Sequence, residues 1–242
     1  MKSVKEAFDL TGRVAIITGG AGLLGVKHAE AIAEMGGIPV LLDLNGGKAK
    51  ADAKEITATF SIQALGLTTD VTQPRAIASA LSKTLEAFGR VDILINNVAN
   101  NPKVEGTGPS DTHWSRLENF SLDVWHQDLA VGLTSAFLCS KIVGSEMARR
   151  GRGVIINITS DLAIIAPDQR IYSQPGGAAA GKTSELLCSQ GRAAWVDSLL
   201  SHILGGQGRA SERDIAWWRI HQPRCWLCPA ALQPDTAGAD GS

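Results

Sequence analysis

The sequence predicts an α/β fold, a doubly wound parallel sheet with helices on both faces, and three observations carry that reading. Short β-branched apolar runs alternate with segments of helical periodicity from Val14 to Ile158. A glycine-rich turn joins the first strand to the first long helix. Polar residues (Asp43, Asp70, Asn96 and Ser160) recur where strands end. Strands that alternate with helices must run parallel, because each crossover returns the chain to the same edge of the sheet. Ligands in such folds bind outside the carboxyl ends of the strands, so those polar residues are the first candidates for a site.

Val14 to Ile17 predicts the first strand, Thr18 to Gly25 the turn, and the residues through Met35 a helix. Ile38 to Leu42 predicts a second strand, ending in Asp43. Ala64 to Thr68 reads as a third, followed by Asp70-Val71 and a helix from Arg75 to Phe88. Val91 to Ile95 is a fourth strand, closed by Asn96-Asn97-Val98-Ala99. Leu122 to Met147 has helical periodicity, and Val154 to Ile158 is a fifth strand leading to Thr159-Ser160.

The turn carries a specific chemistry. A strand entering a helix through Thr18-Gly19-Gly20-Ala21-Gly22-Leu23-Leu24-Gly25 leaves backbone N–H groups and the positive helix end pointing at one spot, where a pyrophosphate can sit. Without Cβ atoms the phosphate can come close to the backbone. Asp43, about 20 residues beyond the turn, suits bidentate binding of ribose hydroxyls and repels a 2′-phosphate, which favours NAD over NADP. The plainer alternative is a packing turn followed by an unrelated strand-end acid.

These pieces together make residues 10 to about 172 similar to the short-chain dehydrogenase/reductase family, whose fold is a Rossmann-type three-layer αβα sandwich. The resemblance rests on Thr18-Gly19 through Gly25, Asp43, Asp70-Val71, Asn96-Asn97-Val98-Ala99 and the strand ending at Ser160. It implies that Thr18, Gly19, Gly22, Leu24 and Gly25 hold the pyrophosphate, Asp43 the adenosine ribose, Asp70 and Val71 the adenine, and Asn96 the cofactor side of the cleft. Ser160 would polarise the substrate carbonyl or hydroxyl, and Tyr172 would be the acid/base. Each role has a simpler rival: Asp70 as a helix cap, Asn96-Asn97 as a brace for the strand end, Ser160 as a turn hydroxyl.

Departures from the family pattern are as informative. The turn has Gly22-Leu23 where the family usually has a glycine at the Leu23 position, and Gly132 stands where it usually has a proton-relay asparagine. The family's chemistry uses Y-x-x-x-K, one helical turn that brings a tyrosine and the lysine lowering its pKa to one face. The only tyrosine is Tyr172, 12 residues past Ser160, and its lysine slot is Gly176. Pro175-Gly176 also breaks a helix there, leaving a phenol that titrates near about 10 unassisted. The sequence therefore predicts an impaired enzyme or a non-catalytic nucleotide-binding remnant.

A displaced reading frame accounts for the loss. Read one nucleotide forward, the tail's codons must give glycine across Trp195-Val196, Trp217-Trp218 and Trp218-Arg219, and a basic residue across Gln190-Gly191. Permitted codons then spell Y-x-x-x-K, with the tyrosine across Leu186/Leu187, and a later valine-rich strand with a proline-glycine turn. This predicts a one-nucleotide shift near codons 175 to 181. As written, residues 1–175 form the dinucleotide-binding domain, and 176–242 is a tail without period, holding four of the six tryptophans. Its strand and helix are expected to be missing or disordered, at the cost of the homo-oligomer interface the family builds there.

Composition excludes other classes. The 23 basic and 24 acidic residues nearly cancel, with no basic run, so nothing suggests a nucleic-acid or membrane surface. Met1 to Leu10 lacks an apolar signal core, and no uninterrupted apolar stretch reads as membrane-spanning, which predicts a cytoplasmic protein. Cys225 and Cys228 have redox spacing without a strand and helix around them, and no metal site is predicted. The partner expected is a small molecule. Polar segments at 100–121 and 161–170 suggest a polar, sugar-like alcohol or ketone, unless they are ordinary solvated loops.

Overall fold

A computed structural model describes residues 3–100 and 119–159. Its described strands form one parallel sheet in the order β3-β2-β1-β4-β5. They are β1 (Val14–Thr18), β2 (Ile38–Asp43), β3 (Leu65–Thr68), β4 (Ile93–Asn96) and β5 (Val154–Asn157). After the short α1 (Val4–Ala7) come α2 (Leu23–Glu34), α3 (Gly46–Phe60), α4 (Pro74–Phe88), α5 (Leu122–Asp128) and α6 (Ser135–Arg149). The doubly wound fold expected from the alternation is the one observed, with each strand within a residue or two of its expected span.

Alternation along each strand sends neighbouring side chains to opposite faces. Val14, Ile16, Val40, Leu42, Leu94 and Ile155 enter one core with Ile77, Ala80, Cys139, Val143 and Met147 of α4 and α6. Ile17, Leu41 and Ile95 enter the other, against Ala29 and Ala33 of α2 and Ala49, Ala53 and Ile56 of α3. Both faces of a parallel sheet must be covered, so β1 and β2 are apolar almost throughout rather than alternating with polar residues. Each fully buried Ile or Leu contributes about 1.5–3 kcal/mol, which fixes the register that the site depends on.

The segment from Leu122 is helical as expected, but not α-helical throughout: a π-helical stretch, Leu129–Thr134, separates α5 from α6 and contains Gly132. The wider turn puts one extra residue into the helix, which re-aims the side chains on either side of it. Ser135 bonds back through its hydroxyl to the Val131 carbonyl there. The whole run Leu122–Arg149 is long and apolar enough to cross a membrane by length and composition alone, although polar residues interrupt it. Its inward stripe, Ala136, Cys139, Val143 and Met147, is buried in the folded domain.

Candidate functional site

The carboxyl end of β1 is shaped by what glycine permits. Gly19 has φ +62°, a left-handed conformation that turns the chain out of the strand. A Cβ on Gly25 would lie 2.1 Å from the Gly19 carbonyl oxygen, so α2 packs on the turn at a distance no larger residue allows. Gly20 donates to the Leu42 carbonyl at 3.0 Å and Gly22 to Gly19 at 3.0 Å, tying the turn to β2 and to itself. Gly22 is the N-cap of α2, and among the described residues no side chain caps the first helical turn. Backbone donors at a helix start, uncapped by any side chain, fit an anion such as a pyrophosphate. Leu23 and Leu24 are exposed beside it.

Thr18 lies under this turn, fully buried. Its hydroxyl oxygen accepts from the backbone N–H of Asn97 (3.0 Å) and Val98 (3.2 Å) and donates to the Ile95 carbonyl (3.4 Å). The side chain thus braces the turn rather than facing a ligand. Asn97, which the sequence reading treated only as a strand-end residue, completes the brace by donating through Nδ2 to the carbonyls of Thr18 (3.0 Å) and Gly19 (3.3 Å).

Asp43, at the end of β2, accepts from the Ala21 N–H at 3.0 Å on Oδ2 and from the Asn45 N–H at 2.9 Å on Oδ1. A carboxylate has about four acceptor positions, so hydroxyls can still be received. Lys48 meets Ala21 from the other side, its Nζ donating to the Ala21 carbonyl and to Asp52 Oδ2, each at 2.7 Å. One residue of the turn is therefore held at its N–H by a carboxylate and at its C=O by an ammonium. Lys48 was not among the expected site residues. Its separation of 27 positions from Ala21 leaves no local signal, beyond a lysine in the first turn of the helix after Asp43.

Asp70 Oδ1 accepts from the N–H (2.9 Å) and the hydroxyl (2.6 Å) of Thr72, a local turn. The N-cap of α4 is Gln73, so Asp70 is not the helix cap. Val71 is buried in the core beside it. Asn96 is buried at the end of β4 and donates through Nδ2 to Asn157 Oδ1 (2.7 Å) and Ser140 Oγ (3.1 Å), linking β4, β5 and α6. Its Oδ1 is buried with no hydrogen-bond partner among the described residues. Asn100 donates to Asp128 Oδ1 at 2.6 Å just before the π-helical stretch, and Asp128 Oδ2 is likewise buried and unpartnered. Neither Asn100 nor Asp128 was anticipated.

The amino end of the same sheet is different. Asp92, 4% exposed, accepts from the Val14 N–H at 3.0 Å and pairs with Arg90 (2.5 Å), Arg13 (3.5 Å) and Arg152 (3.9 Å). Burial pushes its carboxyl up, but the Arg90 hydrogen bond, the Val14 N–H and the charges of Arg90 and Arg13 together hold it below the usual carboxylate value. In α6, burial pushes the Cys139 thiol up to about 12.

Ser160 and Tyr172 lie outside the described residues, as do Pro175, Gly176, Cys225, Cys228 and the whole tail. The described part of the candidate site is thus the turn, Asp43, Asp70-Val71 and Asn96, along neighbouring carboxyl ends.

Several proteins of known kind resemble this chain in sequence or fold. The chain is 32% identical over 184 residues to a (2S)-[(R)-hydroxy(phenyl)methyl]succinyl-CoA dehydrogenase subunit of Thauera aromatica, covering 76% of this chain and 69% of that one. It is 32% identical to D-threitol dehydrogenase of Mycolicibacterium smegmatis, covering 70% of this chain and 60% of the relative. With NAD-dependent glycerol dehydrogenase of Listeria innocua it shares 28%, over 70% of this chain and 61% of the relative. Among solved structures, an NAD+-bound xylitol dehydrogenase superposes with a TM-score of 0.65 at 21% identity, over 81% of this chain and 66% of that one, a likeness of fold. An NADPH-dependent 3-quinuclidinone reductase of Rhodotorula rubra gives 0.66 at 25% identity, over 85% and 69%. The model of the short chain dehydrogenase family matches residues 13–186, which takes in the turn, the five described strands and Tyr172. With that span matched, the chain belongs to the short-chain dehydrogenase family of oxidoreductases, which bind NAD(P).

Proposed function

We propose that this chain binds a nicotinamide dinucleotide at the carboxyl ends of β1, β2 and β4, NAD in preference to NADP, and derives from an oxidoreductase of small polar alcohols or ketones. The observation that carries the reading is the glycine turn braced by Thr18 and Asn97 with Asp43 on its flank. The turn and the start of α2 would hold the pyrophosphate, Asp43 the adenosine ribose, Asp70 and Val71 the adenine, and Asn96 the nicotinamide side. The bound nicotinamide would supply or accept the hydride; the chain's own task is to orient it and to move the alcohol proton. Ser160 would hold the substrate oxygen and Tyr172 the proton, with nothing at Gly176 to lower the phenol's pKa. Named relatives that act on threitol and glycerol support a polyol-like substrate.

A second reading, a non-catalytic dinucleotide-binding remnant, is favoured by the lysine slot at Gly176 and the relay position at Gly132. On this reading residues 176–242 form a non-family tail from a shifted frame. The family match continues through codons 175–181 and stops at residue 186, beside the codons where the shifted frame would place its tyrosine. NADH titration followed by a polyol turnover assay separates the two. Binding with turnover supports the working enzyme; binding without it supports the remnant; absence of binding overturns both. The gene's nucleotide sequence tests the frame directly, because a forward-shifted tail lacking Y-x-x-x-K ends that account.

A further inference from the structure

We propose that Lys48 is a second determinant, beside Asp43, of which dinucleotide this chain accepts: its ammonium lessens the penalty that Asp43 sets against a ribose 2′-phosphate. The proposal rests on the dinucleotide reading above. Asp43 alone would repel that phosphate, but both of its oxygens already receive backbone N–H groups, from Ala21 and Asn45, which draw off part of the carboxylate's field. Lys48 Nζ stands on the other side of the same residue, 2.7 Å from the Ala21 carbonyl. A phosphate brought beside Asp43 on the ribose therefore arrives within one residue's width of a cation. At present that cation is paired with Asp52 at 2.7 Å. The lysine side chain is 49% exposed while Asp52, one helical turn further on, is only 15% exposed, so the ammonium is the mobile partner and can turn from that carboxylate to a phosphate, a strong charge-assisted acceptor, while keeping the Ala21 carbonyl. A lysine binds phosphate as a point charge and needs no fixed fork geometry to do so.

The test is a pair of fluorescence titrations, NADH and NADPH, on the full chain and on Lys48→Met and Asp52→Asn, with circular dichroism melts as the folding control. The wild-type chain is expected to bind NADH about tenfold more tightly than NADPH. Lys48→Met widens that ratio about tenfold by weakening NADPH. Asp52→Asn, which frees the ammonium without touching the turn, narrows it about threefold while leaving NADH unchanged. Equal losses for both dinucleotides in Lys48→Met, or a ratio that neither variant moves, would overturn the proposal and leave the dinucleotide reading standing. Failure of the wild-type chain to bind either one would overturn both.

Discussion

The two ends of this one sheet are built to opposite rules. At the amino end, Asp92 has every interaction a buried carboxylate needs: the Val14 N–H, the Arg90 fork, and the flanking Arg13 and Arg152. At the carboxyl end, Asn96 Oδ1 and Asp128 Oδ2 are buried without a partner among the described residues, and the first turn of α2 has no side-chain cap among them. A buried polar atom left unpaired costs about 1–3 kcal/mol, so the carboxyl end holds a liability that the amino end avoids. The contrast teaches where stability and function reside. The amino end ties β1, β4 and β5 together; the carboxyl end leaves donors and acceptors unclaimed, on the side where parallel α/β sheets take their ligands.

This contrast breaks or sharpens under substitution. The largest effect is expected at Asp92. Asp92→Ala leaves the Val14 N–H and Arg90 unpaired at the sheet end and should cost about 3 kcal/mol, the low end for a broken buried pair because Arg13 and Arg152 are half exposed. A melt lower by roughly 6–12 °C, with NADH affinity per folded molecule unchanged, is the expected readout; a loss of affinity at unchanged stability would erase the distinction between the ends. Gly25→Val should do the reverse. Its new Cβ meets the Gly19 carbonyl, and NADH affinity should fall about a hundredfold, on the order of 2.7 kcal/mol, measured by fluorescence titration. Asp43→Asn, milder, should weaken NADH about tenfold and NADPH less.

The pH response belongs to the amino end. Asp92 has its carboxyl held below the usual value, so its stabilisation is present above the unfolded-state value of about 3.9 and is lost as pH falls through the lower folded-state value. Melts should therefore drop on acidification below about pH 4, and Asp92→Asn should flatten that drop. Smallest of all, Cys139, with its thiol raised to about 12, should resist alkylation at pH 8 until the domain unfolds.

What the sequence made legible was local. Thr18 through Gly25 could be read because a strand, a glycine turn and a helix adjoin in the chain, and Asp43 because it closes the next apolar run. The Asp92 cluster could not, since its bonds to Val14 and Arg13 span 78 and 79 residues. A trace exists only in hindsight: Arg13, Asp92 and Arg152 each stand just before a strand. The Asn100–Asp128 bond spans 28 residues, and Leu-Ala-Val-Gly-Leu-Thr at 129–134 holds no residue type that marks a π-helical turn. Asp70 illustrates a third limit: an aspartate before a helix signals a cap, yet its own turn at Thr72 claimed it. The expectations for Ser160, Tyr172 and the tail fall outside the described residues.

The central claim, a ligand-binding carboxyl end opposite a structural amino end, is tested most directly by amide hydrogen exchange on the full chain with and without NADH. Slower exchange is predicted at residues 19–25 and 43–45 on adding NADH, with residues 13–14, 90–92 and 152–154 unchanged. Protection spread equally over both ends, or confined to the amino end, would contradict it.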